Sequence, residues 1–433
     1  MDLSPNIVGV IGIIVLLITL IARMWIGFAM GLIGFLGFAY IVGIGPAFKV
    51  LATVPFTTLS NYTISVIPLF ILMGVIAGNT GISEALYRAA NVWMGQVRGG
   101  LAMATCVACA AFAAICGHSG VGTITFGKVA VPEMKRYNYD DSLATACVAA
   151  GGSLGFLIPP SLGFILYAIL TEESVGKLFI AGIFPGILLT LLFIIIIGII
   201  ARINPRLAPP GLKTSFKQKI TSLRYTWAML LLFLLVMGGI YGGVFTPTEA
   251  GAIGAIGAII IALVGRQLTR HNFIESLKET LRTSGMILAI IMGAFIFMRF
   301  LTVTKLPFSL SEMVVNLPFD RYIIFIFIIV LYVILGMFMD IMPIIVLTVP
   351  ILFPVVTALG FDPVWYGVVM ILVIEMGLIT PPIGMNVFIL SGVSGISIGT
   401  IFRGVWPFVA AELICIALIT TFPQIALYLP NQM

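Results

Sequence analysis

Two long apolar runs are each interrupted near the middle by a short polar break. Residues 100–131 break at Cys116-Gly117-His118-Ser119-Gly120, and residues 321–357 break at Gly336-Met337-Phe338-Met339-Asp340, followed by Pro343. A carboxylate inside an apolar run is costly and usually functional. Asp340 brings two hard oxygens to its break and Ser119 one hydroxyl, the donor type that suits a small hard cation. The alternative for Asp340 is an N-cap on the helix that follows, and one side chain can do both. Arg299, late in another apolar helix, has two readings. It snorkels to lipid headgroups, or its planar fork clamps a carboxylate or sulfonate. His118 can bind substrate, share a proton, or donate to a backbone carbonyl. Glu375 and Glu412 are also intramembrane, and structural roles fit them better than ligand roles. Glu249 precedes a small-residue helix and suits the first turn of that helix.

Other chemistry is poorly supported. Only two histidines, His118 and His271, occur, with no metal-ligand cluster and no nucleophile–base pair. The five cysteines, Cys106, Cys109, Cys116, Cys147 and Cys415, all lie in apolar runs and read as buried inert thiols, Cys106-x-x-Cys109 included. An enzyme is therefore not expected, nor a cofactor.

The elements that must position these residues are membrane helices. Of the 433 residues 61% are hydrophobic and 9% charged, against about 25% charged in a soluble chain. Mean hydropathy is +1.21. Such a chain cannot cover a water-facing surface. The net charge of +6 does not imply nucleic acid, because basic residues of membrane proteins collect in cytoplasmic loops. Ile7 to Ile21 lacks a preceding basic stretch and a following small-residue cleavage site, so it reads as the first membrane helix rather than a signal peptide. Apolar segments of spanning length are expected at 4–21, 24–45, 62–79, 142–170, 178–201, 226–245, 249–265, 284–303, 364–390 and 401–422. The interrupted runs 100–131 and 321–357 read as re-entrant helical hairpins. Arg202, Arg206, Lys213, Lys217, Lys219 and Arg224 form one basic loop, and Arg266, Arg270, Lys278 and Arg282 another. Both belong in the cytoplasm. The first hairpin then opens inward, the second outward, and the amphipathic stretches 202–224 and 266–283 read as interfacial helices.

An internal repeat has a constant offset of 222 residues. Gly155-Phe156-Leu157-Ile158-Pro159-Pro160 matches Gly377-Leu378-Ile379-Thr380-Pro381-Pro382, Pro132 matches Pro354, Asp140 matches Asp362, and Gly182 to Pro185 matches Gly404 to Pro407. With the topology above the two copies are oppositely oriented, an inverted-repeat plan. Each copy is a hairpin, a helix broken at Gly-x-x-x-Pro-Pro, and a full helix. Paired prolines remove two backbone donors. Such irregular backbone is tolerated at membrane depth only where protein or a watery cavity covers it. Freed carbonyls there can coordinate a cation, and half-helix N-termini favour an anion.

Several stretches resemble signatures of the large membrane subunit of tripartite ATP-independent periplasmic (TRAP) transporters. They are Ile67 to Gly74, Gly155 to Ser161, Leu178 to Gly186, Thr246 to Gly251, Met339-Asp340-x-x-Pro343, and Gly377 to Gly384 with Asn386. The resemblance covers most of the chain, about 65 to 390. It implies an elevator-type carrier of the ion transporter superfamily that imports a small organic anion with sodium. Its implied partners are a small four-helix membrane subunit and a periplasmic substrate-binding protein, within the lipid of the inner membrane. On this reading Gly117, Ser119 and Gly155 serve sodium in the first copy and Gly336, Asp340, Gly377 and Thr380 in the second, while Arg299, His118 and Ser119 meet the substrate. Residues 1–99 and 202–320 become scaffold, and 100–201 and 321–423 become transport units. His118, Gly122 and Arg299 depart from the family pattern. A channel, or a stand-alone anion carrier without a binding protein, is the rival reading.

Overall fold

The computed structural model describes residues 3–211, 214–224 and 226–432, so Lys213 of the first basic loop lies outside it. The architecture is all-α, with no strand among the described residues. The N-terminal part holds α1 (Pro5–Ile21), α2 (Ile26–Val42), α3 (Ile44–Leu59), α4 (Val66–Asn79) and α5 (Ile82–Met94). The first hairpin is α6 (Gly100–Cys116) and α7 (Ser119–Arg136), followed by α8 (Asp141–Ser153), α9 (Leu162–Thr171) and α10 (Val175–Ile203). A central stretch carries α11 (Phe216–Leu223), α12 (Trp227–Tyr241), α13 (Pro247–Val264), α14 (Arg270–Thr304) and α15 (Leu306–Val315). The second hairpin is α16 (Arg321–Phe338) and α17 (Ile341–Ala358), followed by α18 (Pro363–Ile379), α19 (Met385–Ser394) and α20 (Ile398–Thr421). Among the described residues seven helices are long and apolar enough to cross a membrane by themselves, and shorter apolar helices such as α1, α2, α6 and α18 accompany them.

The expected breaks are present. The runs 142–170 and 364–390 are each two helices separated by a non-helical segment. Helix limits recur at the 222-residue offset: Ser119 and Ile341 begin α7 and α17, and Arg136 and Ala358 end them. Four expectations need correction. The stretch 266–283 is no separate interfacial helix: it is continuous with the span in the 35-residue α14. It holds no Gly or Pro before Gly285, so nothing stops propagation, and at 1.5 Å per residue the helix is about 52 Å long. Within 202–224 the described residues form, after the end of α10 at Ile203, only the short helix Phe216–Leu223. Two helices, α3 and α5, were not expected; α5 is too polar along one face for a hydropathy reading and α3 contains Pro55. The loop after Lys305 contains α15.

Packing makes one body of the two halves of the repeat. The second hairpin helix of each copy lies against the second half of the other copy's broken helix, α7 with α19 and α17 with α9. At the centre is α18, whose residues from Val364 to Ile379 are all buried. Burying an aromatic ring removes some 150–250 Å² from solvent, and Phe361, Trp365 and Phe325 pack here as neighbouring rings. The polar ends are satisfied. The Tyr332 and Tyr366 hydroxyls share a 2.6 Å hydrogen bond, Thr348 donates to Tyr332 at 3.1 Å, and Tyr167 donates to the Pro363 carbonyl at 2.7 Å. This ties α9, α16, α17 and α18 together. Separately, α2 and α4 pack against α14, and α13 packs against α4.

Candidate functional site

Each hairpin tip is a helix N-terminus with its own cap. At the first, His118 is the N-cap of α7, and its Nδ1 accepts from the Gly120 N–H at 3.1 Å. At the second, Asp340 is the N-cap of α17, and its Oδ1 accepts from the Ile341 N–H at 2.8 Å. The residue in register with Asp340 is thus His118, and Ser119, expected as its counterpart, stands one position later. Caps of this kind satisfy donors that the helix leaves open. The His118 ring accepts a backbone proton through Nδ1, and it lies 4.8 Å from the Phe156 ring.

The tips are seated on the broken helices. A Cβ on Gly155 would come within 2.6 Å of the His118 carbonyl carbon and of the Ser119 nitrogen. One on Gly377 would come within 2.5 Å of the Gly336 Cα. Contacts this close admit only glycine, so the first Gly-x-x-x-Pro-Pro motif begins with the residue on which the first tip rests, and the second with one that packs on the last turn of α16, ahead of the second tip. Matching hydrogen bonds hold the other side. The Leu162 N–H donates to the Gly117 carbonyl and the Gly384 N–H to the Met337 carbonyl, both at 3.2 Å. The Pro159–Pro160 and Pro381–Pro382 peptide bonds are both cis.

The sodium-site residues inferred from sequence therefore fall into two groups. Gly117, Ser119 and Gly155 meet at the first tip, and Gly336 and Gly377 meet beside Asp340 and Thr380 at the second. Gly336 belongs to α16, before the tip itself. Ser119 is 1% exposed. The Thr380 hydroxyl donates to the Met376 carbonyl at 2.6 Å, which leaves its lone pairs free. Arg299 is elsewhere. It lines a cavity of about 370 Å³ with Thr57, Thr58, Asn61, Glu172 and Thr302, and shares no hydrogen bond with His118 or Ser119 among the described residues. A second polar cavity, of about 390 Å³, opens between α7 and α4, α5 and α14, with Asn79, Ser83, Glu84, Thr125, Lys128 and Glu279 on its walls.

Sequence reasoning passed over one polar cluster. Ser153 donates to Glu412 Oε1 at 2.9 Å, linking α8 to α20. Glu375 and Glu412 are both fully buried, and neither Glu375 oxygen has a partner among the described residues. Ser153 and Glu375 occupy the same place in the repeat, 222 residues apart, a pairing the repeat itself would have exposed. Glu249 caps as expected: its carboxylate accepts from the Thr246 N–H at 2.8 Å while its own N–H donates to Thr246, a capping box.

The chain also has relatives. A family profile described as the DctM component of tripartite ATP-independent periplasmic transporters matches residues 13–425. The C4-dicarboxylate TRAP transporter large permease protein DctM of Pseudomonas aeruginosa is 37% identical over 87% of this chain and 88% of its own length. The isethionate TRAP transporter permease protein DctMQ of Oleidesulfovibrio alaskensis is 35% identical over 87% of this chain, which spans 59% of that longer protein. In fold, the crystal structure of the Alcanivorax borkumensis YdaH transporter superposes with a TM-score of 0.63 at 16% identity, covering 88% of this chain and 90% of the other. With apolar helices packed around two broken-helix sites, and a family match over nearly its whole length, this multi-pass membrane protein belongs to the DctM-component family of TRAP transporter large permeases.

Proposed function

We propose that this chain imports a small organic anion, a carboxylate or sulfonate, across the inner membrane by sodium symport. The observation that carries the reading is the doubled site: two capped hairpin tips, each beside a broken helix whose first glycine packs on hairpin backbone, Gly155 on His118 and Ser119 and Gly377 on Gly336 and Met337. Asp340 supplies a carboxylate there, and the tip and break backbones supply carbonyls. These are the hard oxygen donors that alkali cations take. The α7 and α17 N-termini point their open N–H groups toward the same tips, and helix N-termini favour anions. A cation beside an anion in a dry site lowers the cost of carrying either alone, which is a physical basis for coupling. The two substrate classes agree with the names of the relatives, a dicarboxylate permease and an isethionate permease.

In this reading residues 100–201 and 321–423 move as one body against 1–99 and 202–320, an elevator motion. The cross-packing of α7 with α19 and of α17 with α9 supports a single moving body, and the polar cavity between α7 and α14 lies on the seam along which it slides. Arg299, on the static side, offers the anion a bidentate clamp. A small four-helix membrane subunit and a periplasmic binding protein complete the system. The test is uptake into proteoliposomes holding the chain, the small subunit and the binding protein. Uptake rises with an inward sodium gradient and requires all three parts. Undiminished uptake with only a proton gradient, in sodium-free buffer, removes sodium from the proposal. Robust uptake of free substrate by the chain alone removes the partners and favours a stand-alone carrier.

A further inference from the structure

Where α6 begins and α10 ends, the surface carries a groove of about 650 Å³. Its walls are Val97, Met103, Ile195 and Ile199, and Arg98 and Arg202 stand at its edge. Val97, Ile195 and Ile199 are exposed in the folded chain. At Gly198 the floor is bare, and a Cβ there would meet only the Met103 methyl, at 3.3 Å. Neither arginine forms a salt bridge or a side-chain hydrogen bond among the described residues. Acids of the adjoining α7–α8 corner do not neutralise them: Glu133 pairs with Arg136 at 3.3 Å and Asp141 with Lys135 at 3.4 Å. The Asp140 N–H donates to the Leu207 carbonyl, which fixes this corner beside the basic segment holding Arg202 and Arg206.

We infer that this groove binds one anionic phospholipid of the inner leaflet, its phosphate between Arg98 and Arg202 and an acyl chain along Ile195, Gly198 and Ile199. The positive-inside rule puts the basic end of α10 at the cytoplasmic headgroup layer, where basic pockets between membrane helices take anionic headgroups. A guanidinium pair matches phosphate oxygens in fork geometry. The surface immediately below is apolar, so it suits an acyl chain and not a hydrated ion. A helix of a protein partner would cover the apolar wall but leave two arginines without an anion. The inference rests on the membrane location and not on sodium coupling or the elevator motion.

Native mass spectrometry of the purified full chain, exchanged into detergent with added phosphatidylglycerol or phosphatidylcholine, tests this. Wild type retains phosphatidylglycerol in preference to phosphatidylcholine. Arg98→Ala/Arg202→Ala lowers phosphatidylglycerol retention by about thirtyfold, the combined effect of two basic residues at the headgroup layer, while Arg98→Lys/Arg202→Lys keeps most of it and shows that the fold survives the substitutions. Gly198→Trp fills the groove and also lowers phosphatidylglycerol retention, without changing displacement by inorganic phosphate. Equal retention of the two lipids by wild type overturns the inference. So does full retention in the alanine pair, or indifference to Gly198→Trp (the signature of a free-anion site).

Discussion

The two hairpins share a backbone and differ in chemistry and in surroundings. In both, a short break ends in an N-cap that opens the second helix, and in both a glycine of a broken helix packs on hairpin backbone, at the tip itself in the first and on the last turn of α16 in the second. Yet the first cap is a histidine and the second an aspartate. The first hairpin also sits deeper. Nearly every residue of α6 is buried, whereas α16 exposes Ile326, Phe327, Val330 and Ile334 along its outer face. A repeated frame thus holds two unlike sites. The frame is conserved within the chain because close backbone contact permits little else, and the cap position varies because any side chain with an acceptor can satisfy the helix. The carboxylate stands at the second tip, so the second hairpin is the better candidate for a cation site.

The largest expected effect separates the two caps. Asp340→Asn keeps an acceptor for the Ile341 N–H but removes the charge, and we expect sodium-driven uptake to fall about a hundredfold, or roughly 2.7 kcal/mol. His118→Asn also keeps an acceptor, and uptake is expected to stay within about threefold of wild type. Initial rates against sodium concentration measure both. Equal losses in the two variants would erase the functional distinction between the tips.

Next come the glycines, which should behave alike because the frame is shared. Gly155→Ala and Gly377→Ala each push a methyl into hairpin backbone, which costs about 1–3 kcal/mol. Thermal unfolding in detergent should show the two losses to be similar. If only one variant loses stability, the tips are not seated in the same way.

Arg299→Lys comes third. Lysine snorkels as well as arginine but lacks the planar fork. At matched expression uptake is expected to drop about tenfold, roughly 1.4 kcal/mol. Wild-type kinetics would leave Arg299 as an interface anchor and place substrate recognition wholly at the tips.

The smallest effect is a control outside both hairpins. Thr246→Ala breaks the capping box at the start of α13, costs about 1 kcal/mol of stability, and should leave the sodium dependence of uptake unchanged. A shifted sodium dependence would mean that helices outside the hairpins help shape the proposed cation site.

Much of this was legible in the chain. Long apolar runs forced membrane helices, because backbone polar groups in lipid must be satisfied within the helix. Two Gly-x-x-x-Pro-Pro motifs at one offset announced two breaks, because paired prolines cannot continue a helix. Asp340 and Ser119 stood out because polar groups in such runs are rare. Helices α3 and α5 were not legible, since Pro55 and a polar face hide them from a hydropathy reading. The continuity of α14 through its basic, amphipathic first turns was hidden too, because periodicity cannot tell a surface helix from the extension of a span. Which atoms meet was decided by tertiary packing alone. Nothing local says that Gly155 carries the His118 backbone, that Ser153 reaches Glu412, or that Arg299 stands apart from the tips in a cavity with Glu172. Those contacts join residues far apart in sequence, and the Ser153–Glu412 contact exists only because the two halves of the repeat pack through each other, α7 against α19 and α17 against α9.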